Sequence, residues 1–327
     1  MIPGRQAAAR RRGAFAVPAK FDEPAVGSAK RGGRIAAFRR SESLQGWALV
    51  LPAVVLLAAF THWPTIETIW ASLHTTAVPH HPSRFAPSAN LNALWADPVF
   101  WQALRNNLIY AGCTIPSAMA LSLTMALAVD RRMPGRGFLR LAYFTPTILP
   151  MIAVANIWLY FFTPGYGLID TVLAPFGLGE WNWLGSASTA LPAIIVIAIW
   201  KEAGFYMIFY LAALQSLPSD LREAAALEGS SRWNFFRRVV WPLLMPTTLF
   251  VFINAAIDAF RLVDQIVVLT HGGPDNATTI LLYYIYEVGF QYWDSNYAAL
   301  LTVVLLLILG SIAALQFGVL ARRVHYR

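Results

Sequence analysis

The sequence predicts an all-α membrane protein with six transmembrane helices and both termini on the cytoplasmic side. Three observations predict it. Apolar residues make up 57% of the 327 and charged residues only 13%, whereas charged residues are about a quarter of an ordinary soluble domain. Long apolar runs recur over about 47–73, 104–129, 138–162, 191–214, 243–262 and 297–320, each long enough for a hydrocarbon core of about 30 Å. Basic side chains gather in alternate connecting segments and at both ends, so six crossings put nearly all of them on one face, as the positive-inside rule requires. In a soluble chain the formal charge of +8 would suggest nucleic acid; placed between spans it marks a cytoplasmic surface, and no nucleic-acid partner is expected.

Residues 1–45, with Arg10 to Arg12, Arg39 and Arg40, read as a basic, flexible cytoplasmic tail against anionic membrane lipid. Its basic region is too long for a secretory signal, and no small-residue cleavage site follows. The transmembrane domain then occupies 46–327. The first span has interfacial Trp47, Trp63 and Trp70 and carries Pro52 and Pro64, which membrane helices tolerate. His74 to Phe100 is polar, proline-rich and nearly free of basic residues, hence external. The second span returns to the basic turn Asp130 to Arg136, and the third, with Pro146 and Pro150, leaves through the turn-rich Phe161 to Gly167. Leu168 to Thr189 has no Lys or Arg and is external. The fourth span leads to a polar segment over 215–242, the fifth to an external loop around Thr270 to Pro274, and the sixth to the basic end Arg322 to Arg327. Cys113 is the single cysteine and forms no intrachain disulfide, and His80 and His81 lack acidic or thiol neighbours at metal-ligand spacing, so no metal site is expected.

The segment over 215–242 is rich in helix formers yet studded with charge. Pro218, Ser219 and Asp220 supply a helix start with Ser219 as cap, Gly229 ends that helix, and Ser231 to Val240 begins a second. Arg222, Arg232, Arg237 and Arg238 hold it on the cytoplasmic face. A helical pair lying there is suited to being gripped by a soluble partner.

Glu223, Ala224, Ala225, Gly229, Val239 and Pro242 stand in the register of the EAA loop of binding-protein-dependent ABC importer permeases, with Trp241 where that family usually has leucine. The chain is identified by this resemblance as a member of that family. Further stretches resemble its carbohydrate branch, the maltose and glycerol-3-phosphate type: Phe100 to Asn107, Trp200 to Pro218, Leu269 to Pro274 with Thr278 and Thr279, and Tyr284 to Phe290. The resemblance implies a type I importer fold in a bacterial cytoplasmic (inner) membrane, importing a sugar or sugar-related solute. It implies a second permease as pseudo-symmetric heterodimer partner, two ATP-binding subunits at the cytoplasmic face, and an extracytoplasmic solute-binding protein. Under it the loop containing Glu223, Ala224, Ala225, Gly229, Arg232 and Pro242 couples to the ATPase, and Gly272, Gly273 and Pro274 face the binding protein.

Charges inside spans are costly and usually face protein or a watery path. Lys201 and Glu202 are adjacent in the fourth span, so they do not share a helix face, and each needs a partner on another helix or reaches toward the interface. In the fifth, Asn254, Asp258, Arg261 and Gln265 recur at helical spacing with Asp264 beside them, predicting one polar face. Two readings fit: Asn254, Asp258, Arg261 and Asp264, with Lys201 and Glu202, line a translocation path, or Asp258 and Arg261 form an ion pair between helices. No Walker A loop, nucleophile elbow or His-Glu-x-x-His helix occurs, so the chain is expected to be non-catalytic and without a cofactor of its own. ATP and Mg would be bound by a partner ATPase. The alternative class is an ion-coupled secondary transporter using the fifth-span charges.

Overall fold

The computed structural model describes residues 45–77, 82–130, 134–177, 181–316 and 318. The predicted tail up to Leu44, His80 and His81, and the basic end Arg322 to Arg327 lie outside these residues. The described residues are helical with connecting turns, and the only paired extended residues among them are His74 and Phe85.

The chain divides into two units, Met1–Trp63 and Pro64–Arg327. The first contains most of the apolar helix α1 (Gln45–Ser72). Its turn widens to a π-helix over Ala58–His62, just before Pro64, whose ring would collide with the carbonyl four residues back in a regular helix.

The second unit holds α2 (Pro87–Ala96), α3 (Pro98–Asp130), α4 (Arg136–Ile148), α5 (Met151–Phe161), α6 (Leu168–Leu173) and α7 (Ala190–Gln215). There follow α8 (Ser219–Leu227), α9 (Arg232–Phe260), α10 (Asp264–Leu269), α11 (Leu281–Tyr286) and α12 (Ser295–Leu315). Among the described residues α1, α3, α7, α9 and α12 are each long and apolar enough to cross a membrane. The predicted third span is a bent pair: α4 and α5 meet at 99°. Pro150 is the cause, because it excludes helical backbone at Leu149, which is extended with ψ 136°. If that pair is one span, the spans number six.

The helix starts show why the predicted boundaries moved. α3 begins at Pro98, ahead of the predicted Leu104, because Asp97 and Pro98 are a cap and a first helical residue: the Asp97 carboxylate Oδ1 accepts from the Val99 N–H at 2.9 Å and the Phe100 N–H at 3.2 Å. With 33 residues α3 is about 50 Å long and outreaches the hydrocarbon core. α12 is capped in the same way by Asp294, whose Oδ1 accepts from the Tyr297 N–H at 3.1 Å.

The centre of the second unit is α3 against α7, its most extensive helix contact. α3 presents a buried stripe of Asn107, Ala111, Thr114, Ala118, Ser122 and Ala126. Small residues let helices approach closely where lipid offers no hydrophobic drive. α4 packs on α7 through Gly204, where a Cβ would lie 2.0 Å from the Tyr143 carbonyl oxygen. Thr147 and Lys201 seal that contact reciprocally: the Thr147 hydroxyl donates to the Lys201 carbonyl at 3.0 Å, and Lys201 Nζ donates to the Thr147 carbonyl at 3.5 Å.

The predicted external end is held by side chains that satisfy loop backbone. On α3, Gln102 donates to the Asp275 carbonyl at 2.8 Å, Asn106 to the Asn276 and Thr279 carbonyls at 2.9 Å each, and Asn107 to the Ala259 carbonyl at 3.1 Å. Asp97 Oδ2 accepts from the Tyr284 hydroxyl at 2.6 Å and the Tyr297 hydroxyl at 2.7 Å, joining the start of α3 to α11 and α12. Burial first, then the bond to Asp97, pushes the Tyr284 phenol up from its ordinary value, so it remains a donor.

Candidate functional site

Two places bring the predicted residues together. The first is a cavity of about 350 Å³ in the second unit, among α3, α5, α7, α9 and α10. Lys201, Glu202, Asp258, Arg261 and Asp264 all line it, joined by Tyr110, Thr114, Tyr206 and Gln265. Asn254 does not: its amide donates to the Phe250 carbonyl of its own helix at 2.8 Å.

The single polar face predicted for the fifth span is corrected by the break that ends α9. The Arg261 N–H donates to the Asp258 carbonyl at 3.0 Å, closing a tight final turn, and the chain restarts as α10 at Asp264. Asp258, Arg261 and Gln265 therefore reach one cavity from two helices and the turn between them. Nor do Asp258 and Arg261 form the alternative ion pair: among the described residues the one salt bridge is Arg222 with Asp130. Asp258 Oδ2 accepts from the Tyr206 hydroxyl at 3.2 Å instead.

Lys201 and Glu202 both line the cavity although they are neighbours on α7. Lys201 is 8% exposed and sits at the C-terminal end of α4, where carbonyls lack helical partners and a cation is favourable. Gln265 is 3% exposed; its Nε2 approaches the Met151 sulfur at 3.4 Å, a weak acceptor, and its Oε1 has no hydrogen-bond partner. Sequence reasoning missed Tyr110, Thr114 and Tyr206. The signal for the first two was present, since Asn107, Tyr110 and Thr114 recur at helical spacing in the second span.

The second place is the turn between α8 and α9. Pro218, not Ser219, holds the cap position of α8, and the Ser219 hydroxyl turns to Asp220, so the predicted serine cap is replaced by a proline start. Glu223 and Ala224 are exposed and Ala225 half-buried on this helix. Gly229 has φ +66°; its N–H donates to the Ala226 carbonyl at 3.1 Å, and the Ser230 N–H to the Ala225 carbonyl at 2.9 Å. That pair is a Schellman motif, and it needs a left-handed residue at the glycine.

One residue later Ser231 caps the next helix, its Oγ accepting from the Asn234 N–H at 3.2 Å. From Arg232, which is exposed, α9 runs unbroken to Phe260 through a π-helical turn over Phe236–Val240. Pro242 accounts for the widened turn as Pro64 does in α1. The predicted second helix of the loop is thus the first part of the fifth span. Leu227, 90% exposed, and Trp233, 70% exposed, leave apolar surface around the turn.

In the loop after α10, Gly272 is buried, Gly273 and Pro274 are half-buried, and His271 and Asp275 are exposed. Thr278 fixes the loop, its hydroxyl donating to the Gly273 carbonyl at 2.9 Å.

Known proteins match both the sequence and this fold. The profile of the family described as binding-protein-dependent transport system inner membrane component matches residues 118–326. The lactose transport system permease protein LacF of Rhizobium radiobacter is 32% identical over 284 residues, 85% of this chain and 95% of its own. The trehalose/maltose transport system permease protein MalF of Thermococcus litoralis is 33% identical over 271 residues, 81% and 91% of the two chains. The sn-glycerol-3-phosphate transport system permease protein UgpA of Yersinia enterocolitica is 32% identical over 285 residues, 86% and 95%. A chain of a bacterial ABC transporter involved in import of the acidic polysaccharide alginate has a similar fold, with TM-score 0.77 and 22% identity, over 88% of this chain and 99% of that one.

Proposed function

The chain belongs to the family of binding-protein-dependent transport system inner membrane components, and on that premise we propose that it is the permease subunit of an ATP-driven importer for a sugar or sugar-related solute. The observation that carries this reading is continuity. One helix, α9, starts at the Schellman turn of the predicted ATPase-coupling loop and ends in the wall of the charged cavity. In this reading a push on the turn is delivered along that one helix toward Asp258 and the Arg261 turn that follows it.

In this reading the bent pair α4 and α5 is one of six spans, and both termini are cytoplasmic in a bacterial inner membrane. A second permease subunit pairs with this one, two ATP-binding subunits grip the paired loops at Glu223 to Gly229, and a solute-binding protein docks externally near Gly273 and Pro274. The neighbouring fold has also been seen with an alginate pentasaccharide-bound periplasmic protein, which supports a binding-protein partner. ATP and Mg belong to the partner subunits; this chain supplies the path and the lever. Family membership disfavours the ion-coupled alternative.

The test is affinity purification of the tagged membrane complex, identification of its subunits by mass spectrometry, and uptake into proteoliposomes. A co-purifying P-loop ATPase and second permease, with uptake that requires ATP, are expected. A lone chain that moves solute without ATP would overturn the proposal.

A further inference from the structure

We infer that the starts of α3 and α12 form a phospholipid-docking surface, with aromatic side chains in the headgroup layer and Arg105 against lipid phosphate. The inference goes beyond the importer reading and takes from it only that these helix ends are external. Its first support is a backbone outlier. Trp293 has φ +60°, a conformation uncommon outside glycine, asparagine, aspartate and histidine and costly for a bulky side chain. The Asp294 N–H donates to the Val288 carbonyl at 3.0 Å across this reversal, where helix ends usually place glycine. Packing does not offset the strain, since Trp293 is 79% exposed, and Phe290 and Tyr292 beside it are exposed as well. A strained residue with no packing role points to a contact outside the chain.

A second aromatic group stands at the same level. Trp95 and Trp101 flank the cap of α3, both exposed, with ring centres 5.1 Å apart. Asp97 between them accepts from the Tyr297 hydroxyl at 2.7 Å, so the starts of α3 and α12 lie side by side. α12 fixes where that level falls in a bilayer. It has 21 residues, none charged, and exposes Leu306, Leu307 and Leu315. Its length of about 31 Å matches a hydrocarbon core of about 30 Å. With Leu315 at one edge of that core, the residues just ahead of Ser295 stand in the headgroup layer of the other. Trp and Tyr, with an apolar body and a polar tip, are the side chains favoured there. Arg105 completes the surface. It is exposed, has no ion-pair partner among the described residues, and lies four positions after Trp101, hence on the same face of α3. Helical side chains tilt toward the N-terminus, so from about 10 Å along α3 its long side chain snorkels back to the headgroups. A guanidinium there binds phosphate through paired N–H donors.

The test reconstitutes the protein, with Cys113→Ser, in vesicles of phosphatidylglycerol and phosphatidylethanolamine and attaches a nitroxide at Trp95→Cys, Trp293→Cys or Leu307→Cys. Relaxation by oxygen and by a nickel chelate reads the depth of each label. Labels at positions 95 and 293 are expected in the headgroup layer, about 5 to 8 Å thick, and the label at 307, about 18 Å along α12, near mid-bilayer. Full aqueous exposure at 95 or 293, or loss of contact with both reagents as under a covering protein, would overturn the inference. Thermal unfolding in detergent gives a second readout with Trp293→Gly and Arg105→Gln. Without lipid, Trp293→Gly should unfold no earlier than the unmodified protein, because glycine relieves the backbone. Added phosphatidylglycerol should raise the unmodified midpoint, and that rise should fall by about half in each variant. Inorganic phosphate should not reproduce it. Equal rises in all three proteins, or the same rise with inorganic phosphate, would overturn the inference. No step requires transport, and a lone chain can be labelled in the same way, so failure here leaves the importer reading standing.

Discussion

Replacing Gly229 tests whether the turn between α8 and α9 is a lever or a connector. A Cβ at Gly229 would meet nothing within 4 Å, so the perturbation is confined to the backbone. Holding a residue with a Cβ at φ +66° costs about 1 to 2 kcal/mol relative to glycine, less for asparagine and more for a β-branched residue. Against two hydrogen bonds worth about 0.5 to 1.5 kcal/mol each, that penalty is enough to depopulate the Schellman turn, by a factor of about 5 to 30. ATP-driven uptake in proteoliposomes should therefore fall in the order Gly, Asn, Ala, Val at this position, with Gly229→Asn near the unmodified rate and Gly229→Val inactive. Gly177 is the control, since it has φ +73° and no neighbour within 4 Å but lies at the end of the turn after α6. Gly177→Ala carries the same strain and should leave uptake intact. Normal uptake by Gly229→Val, or equal losses at both glycines, would refute the lever.

Other perturbations separate packing from surface effects. Gly204→Ala places a methyl 2.0 Å from a backbone oxygen that cannot rotate away, so thermal unfolding of the complex should show a loss at or above the usual overpacking cost of about 1 to 3 kcal/mol. Asp97→Ala removes the cap of α3, worth about 1 kcal/mol, and strands the Tyr284 and Tyr297 hydroxyls; hydrogen exchange should rise at the starts of α3 and α12, with Asp97→Asn intermediate. Asn106→Leu leaves two loop carbonyls without their donor, and limited proteolysis should open the 271–277 loop first. Arg222→Ala should be near neutral, within about 1 kcal/mol on thermal unfolding, because the Arg222 side chain is 71% exposed at its 3.4 Å contact with Asp130.

What the sequence made legible depended on the range of each signal. The turn between α8 and α9 was readable because its grammar is local: helix formers, then Gly229, then Ser231, all within a few residues. Pro146 and Pro150 were visible in the third apolar run, but no bend was predicted there, and the 99° angle between α4 and α5 emerged only from the structure. The fifth span was predicted to end near Leu262, close to the observed Phe260, but the polar stripe was carried across the break to Gln265, because neither proline nor glycine marks Arg261 to Val263 and the polar residues continue the helical spacing. The clamps from α3 were invisible for another reason: Asn106 and Asn107 serve backbone carbonyls more than 150 residues away, and a carbonyl leaves no trace in a sequence.

Those clamps change how polarity inside this chain should be weighed. In lipid a backbone group without a partner is costly, and several polar side chains near the apolar helices are engaged with backbone carbonyls. Asn107 serves Ala259, Asn254 serves its own helix, Thr147 and Lys201 serve each other's carbonyls. Spacing alone cannot tell such residues from those that meet a solute, which is why Asn254 fell on the predicted stripe and off the cavity. The discriminating property is what remains after the backbone is satisfied. Gln265 Oε1, buried with no hydrogen-bond partner, has no structural duty of that kind.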